Sequence, residues 1–172
     1  MCEFKSAIVL RDGKNKGGFK LLLSPWTNSH SDLIAMHYLH DDGRLKFARV
    51  EFKPKSAETV ADVKSYNLTI DEERCPDWFD EEMKDAVSEK MRTYIASIIV
   101  IDSRKILIGG EFIVSGKAEI GDIKQSNVNS ISGSATVDII YGSATVDIIY
   151  GSATVGNISG SAKIISDNRN SK

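Results

Sequence analysis

The residues best suited to chemistry lie toward the N-terminus: Cys2, His30 and Asp32. A thiol acts as a nucleophile in its thiolate form, and a nearby imidazole oriented by a carboxylate favours that form. The three residues are far apart in the chain, so local structure has to join them. Phe4, Ser6, Ile8 and Leu10 alternate with Lys5, Ala7 and Val9, Asp12-Gly13 signals a turn, and Phe19 to Leu23 reads as a returning strand. These features predict a β-hairpin. Pairing Glu3–Leu10 with Gly18–Ser24 would return the chain beside Cys2 and bring Asn28, Ser29, His30 and Asp32 near its thiol. The plainer alternative is that Cys2 packs at a strand end and His30 belongs to a helix cap.

Other candidates are weaker. His37 and His40 share one side of a helix predicted from about Ser31 to His40, but His30 precedes it and no further ligand is well placed. No metal and no cofactor are expected. Arg49 and Glu51 share a face of a strand predicted over Leu45 to Phe52, which reads as an ion pair at the edge of the core. Cys2 and Cys75 are too few for a disulfide framework and lack zinc-ligand spacing. No P-loop, dinucleotide glycine fingerprint, Gly-x-Ser-x-Gly or His-Glu-x-x-His occurs.

The elements that must position these residues can be read in order. Ser29 and Asp32 have capping-box spacing ahead of Leu33, Ile34, Met36 and Leu39. Ser56 to Lys64 reads as a short helix or turn, and Leu68 and Ile70 as a short strand. A longer helix is predicted from about Asp77 to Ile98. Its stripe is Phe79, Met83, Ala86, Val87, Met91, Tyr94, Ile95 and Ile98, and carboxylates crowd its first turn. Apolar runs at Ile99–Asp102 and Lys105–Ile108 precede Gly109-Gly110. The expectation is an α+β head over residues 1–108.

Beyond it a nine-residue unit recurs. Gly133 to Tyr141 reads Gly-Ser-Ala-Thr-Val-Asp-Ile-Ile-Tyr, and Gly142 to Tyr150 repeats it letter for letter. Alignment gives three apolar columns: Ala118, Ser126, Ala135, Ala144, Ala153 and Ala162; Ile120, Val128, Val137, Val146, Val155 and Ile164; Ile123, Ile131, Ile140, Ile149 and Ile158. In each column the first spacing is eight and the rest are nine. Stacked copies complete one another's core, which predicts a β-solenoid over 109–166 with a polar tail at 167–172. Nine extended residues reach about 30 Å, short for a closed coil, so two units per coil and roughly three coils are expected. Tyr141, Tyr150, Ile164 and Ile165 are the expected assembly or partner contacts.

Several resemblances attach to these motifs. The repeat resembles calcium-binding nonapeptide rolls in period, but its Gly-Ser-Ala turn carries no carboxylate, and Asp138 and Asp147 fall in mid-unit. Gly121-Asp122-Ile123 is similar to bactofilin-like coils. The Met-Cys opening resembles amidohydrolases with an N-terminal nucleophile, although those chains are longer, carry an Arg-x-x-Asp motif that is absent here, and need the free amino group that Met1 blocks. Met-Cys-Glu-Phe, Ser29-His30-Ser31-Asp32-Leu33, Arg49-Val50-Glu51 and Pro76-Asp77-Trp78-Phe79 resemble uncharacterised proteins carried by bacteriophages and prophages. That likeness implies a phage-type accessory protein in the cytoplasm of a bacterial host.

Composition narrows the classes further. With 172 residues, a net charge of −2, 41% hydrophobic and 27% charged residues, no nucleic-acid or membrane surface is indicated. The expected function is non-enzymatic: oligomerisation or partner binding through the solenoid, in a phage setting by inhibiting or sequestering a host defence component. The alternatives are a cysteine-dependent hydrolase or small-molecule-binding protein using Cys2 and His30, and a structural phage component.

Overall fold

The computed structural model describes residues 5–13, 17–40, 46–71 and 75–169. They form two compact units, Met1–Lys55 with Val63–Tyr94, and Ser56–Asp62 with Ile95–Lys172.

The first unit holds a four-stranded antiparallel sheet in the order β2-β1-β3-β4. Its strands are β1 (Lys5–Arg11), β2 (Phe19–Leu22), β3 (Phe47–Lys53) and β4 (Asn67–Ile70). The predicted hairpin is present, with Ile8 opposite Leu22 and Arg11 opposite Phe19. One face carries Ile8, Leu22 and Phe47, which form a small core with Leu33 of α1 (His30–Met36). The other face meets α2 (Glu81–Ile98), where Arg92 lies over Phe52 and Lys90 over Phe19. On that same face the Lys5 side chain is fully buried. Its ammonium donates to Ser24 O at 2.6 Å and lies 5.3 Å from the centre of the Tyr94 ring. Hydrogen bonding and the ring's negative face offset part of the cost of removing that charge from water.

Both helices are shorter than the sequence predicts. Helix α1 stops at Met36 because Tyr38 takes a left-handed conformation (φ 52°), with its N–H on Ala35 O and that of Leu39 on Ile34 O. This places His37 at the cap and His40 beyond the helix, so they do not form a helical pair. Helix α2 starts at Glu81 because Asp80 Oδ1 accepts from Met83 N, leaving Asp77 outside. The helix or turn expected near Ser56–Lys64 resolves into two 3-10 turns, Ala57–Thr59 and Val63–Ser65.

The second unit is a parallel β-solenoid of about four turns. One sheet stacks β5 (Ile99–Val100), β7 (Glu111–Val114), β9 (Asn127–Ile131), β11 (Thr145–Ile149) and β13 (Lys163–Asp167). The other stacks β6 (Arg104–Ile108), β8 (Glu119–Lys124), β10 (Thr136–Tyr141) and β12 (Thr154–Ile158). Thr136 sits opposite Thr154 and Thr145 opposite Lys163, so two nine-residue units make an eighteen-residue coil. The three apolar columns fill its interior apart from Ile158, which lies outside the core.

The expected count of three coils falls short because coiling begins at β5, ahead of the repeat's regular spacing. There the steps are shorter: Ile99 pairs with Ile113 and Arg104 with Ile120. The spacing of eight also has a structural basis. Between β8 and β9 the corner is only Gln125-Ser126, with Gln125 itself left-handed (φ 49°), whereas Gly142-Ser143-Ala144 joins β10 to β11.

Candidate functional site

The structure assembles a polar cluster in the first unit from residues the sequence keeps apart. His30 opens α1, where Ser29 caps the helix by accepting from Asp32 N at 3.2 Å. The His30 ring is buried, with Nε2 3.0 Å from Val50 O and Nδ1 2.9 Å from Asp71 Oδ2. Asp71 follows β4 directly and continues its pairing with β3, because its N–H donates to Arg49 O at 3.0 Å. That extension delivers the carboxylate to a ring 41 positions away in sequence. Buried Glu51 on β3 completes the group, and its Oε2 lies 2.6 Å from Lys53 Nζ. Ligand atoms of His30, Glu51 and Asp71 all lie within 4.8 Å of one another.

The N-terminal constellation expected from sequence falls only partly within this picture. Cys2 lies outside the described residues. His30 takes Asp71 as its carboxylate partner, while Asp32 is exposed and accepts from Thr27 Oγ1 at 2.8 Å. Among the described residues, the group combining imidazole and carboxylates includes His30 but neither His37 nor His40. Glu51 has a salt bridge with Lys53, and the Arg49 guanidinium lies 5.7 Å from the centre of the Phe47 ring. Asp71 escaped sequence reasoning. Its available signal was position, an acid immediately after a short strand that pairs with the strand holding Glu51.

The solenoid offers a different kind of site. Its last strands, β12 and β13, pair on one side with β10 and β11, and among the described residues no strand pairs with their other side. The apolar columns lose their cover there. Ile140 and Ile149 are fully buried, whereas Ile158 in the same column is 47% exposed. Ile165 is 62% exposed, and Ile164 is partly buried against the core.

Tyr141 and Tyr150 stand apart from this edge in character. Tyr141 is half-buried with Lys124 Nζ 5.5 Å from its ring centre. Tyr150 is also half-buried, and burial pushes its phenol above the ordinary 10.0 while the hydroxyls of Ser132 and Ser130 pull the other way. No helix among the described residues is long and apolar enough to cross a membrane. Comparison of the chain with protein-family models, with curated proteins and with solved structures gives no match.

Proposed function

We propose that this is a non-enzymatic assembly protein whose terminal solenoid coil binds a second copy of the chain. The observation that supports this reading is the change of environment along one column, from the buried Ile140 and Ile149 to the exposed Ile158. The outer edges of β12 and β13, which no strand among the described residues pairs, add directional hydrogen-bonding groups to that apolar surface. A two-fold arrangement would set the same edge of each copy against the other and close the assembly at a dimer. The joined heads would then bind and sequester a partner, and the likeness of the N-terminal motifs to phage-borne proteins suggests a host defence component.

Sedimentation velocity on the full-length chain across a concentration series tests the assembly step. The expected result is a monomer–dimer equilibrium that Ile158→Lys and Ile165→Asp shift toward monomer, while both variants keep the parent's circular dichroism. A parent chain that stays monomeric at every concentration would overturn the reading.

A further inference from the structure

We propose that His30, Glu51 and Asp71 bind one divalent first-row transition-metal ion. This site lies in the first unit and does not depend on solenoid assembly. The hydrogen bonds of the His30 ring fix which nitrogen presents its lone pair to the carboxylate. A carbonyl oxygen only accepts, so the 3.0 Å contact with Val50 O puts a hydrogen on Nε2. In the neutral imidazole the Nδ1 lone pair then faces Asp71 Oδ2 at 2.9 Å. Two lone pairs at that separation need a positive charge, either a second ring proton or a metal ion. Ligating histidines characteristically have their other N–H held by a carbonyl or carboxylate, as here.

The spacing and donor chemistry agree. Adjacent ligands about 2.1 Å from one ion lie about 3 Å apart, close to the observed Nδ1–Oδ2 separation. One imidazole and two carboxylates suit Zn²⁺, Mn²⁺ or Fe²⁺, and the two carboxylates balance the ion's charge. Asp71 is 51% exposed, which leaves the site open to entry from solvent.

An independent observation is the hydroxyl of Ser6. Ser6 is fully buried, and its Oγ makes no hydrogen bond among the described residues. It sits directly opposite Glu51 in the β1–β3 pairing, which places both side chains on one face as neighbours. A buried hydroxyl without a partner is unfavourable, because its desolvation goes uncompensated. A water on the ion, or the Glu51 carboxylate once drawn to the ion, would satisfy it. The Lys53 ammonium borders the site. Lys53 contacts Glu51 through Oε2, and a carboxylate has two oxygens with which to serve both charges. The Arg49 guanidinium lies over the Phe47 ring.

The test uses the full-length chain after chelator treatment. Calorimetric titration with Zn²⁺ is expected to show one saturable site per chain. Asp71→Asn, nearly isosteric and half-exposed, is expected to weaken binding at least tenfold, while the His37→Gln/His40→Gln double variant binds as the parent does. Absence of saturable binding, or an Asp71→Asn variant that binds like the parent, would overturn the proposal. A second measurement needs no variant: substoichiometric Mn²⁺ should broaden the imidazole signals of His30 ahead of those of His37 and His40. Broadening that spares His30 would also overturn it.

Discussion

Truncating the same isoleucine in successive coils measures how far the solenoid's cover extends. Ile140, Ile149 and Ile158 share one column, but the first two are fully buried and the third is 47% exposed. Ile→Ala removes three carbons, worth about 0.8 kcal/mol each when fully buried, or about 2.4 kcal/mol in transfer. An enclosed site adds a cavity term of about 1 kcal/mol, giving about 3.5 kcal/mol for Ile140→Ala and Ile149→Ala. At Ile158 roughly half the side chain already meets water and no cavity is enclosed, so the cost falls to about 1 kcal/mol. Urea unfolding at low micromolar protein, followed by circular dichroism, supplies all three values. Equal costs at Ile140 and Ile158 under those conditions would refute the reasoning, because something within one chain would then be covering the last coil. If a second copy provides the cover, the cost of Ile158→Ala should rise with protein concentration while that of Ile140→Ala does not.

Two corner glycines, both left-handed, should respond differently to alanine. A methyl at Gly133 would meet Gly116 O at 2.8 Å, whereas one at Gly142 comes no nearer than ordinary contact, with the flexible Lys124 Cγ at 3.6 Å and Gln125 Cγ at 3.7 Å. The backbone conformation costs about 1–2 kcal/mol at either position, and the collision adds to it at Gly133, so thermal melts should show Gly133→Ala as clearly the worse variant. Burial of the Tyr150 phenol raises its folded pKa, so its contribution to stability is complete below the ordinary 10.0 and is lost as pH rises through the higher folded value. Absorbance titration at 295 nm should show a late-ionising step that is lost in Tyr150→Phe.

The repeat made the solenoid legible, since identical units with a small, a β-branched and an isoleucine position can bury their apolar face only by stacking. Its first coils were not legible as repeats. The steps from Ile99 to Ile113 and from Arg104 to Ile120 are shorter than those between regular coils, so column alignment fails there even though the strands pair. Helix existence was readable and the ends were not. Tyr38 adopts a conformation usually left to glycine, which no propensity argument assigns to a tyrosine. His30 stood out in the sequence as a residue of interest, and its partner did not. The meeting of His30 with Asp71 depends on the register of β3 against β4, which spacing along the chain does not encode.

The pairing of two units per coil makes copy number a matter of parity. Thr136 stacks on Thr154 and Thr145 on Lys163, so odd and even units belong to opposite sheets. Gain or loss of one nine-residue copy would transfer every downstream strand to the other sheet and carry the terminal isoleucines to the opposite side of the coil. Gain or loss of two copies would lengthen or shorten the stack and leave its sides unchanged. The adjacent identical copies at 133–141 and 142–150 are the natural place to make such changes. Eighteen residues is therefore the increment that alters the reach of this solenoid while preserving the orientation of its end.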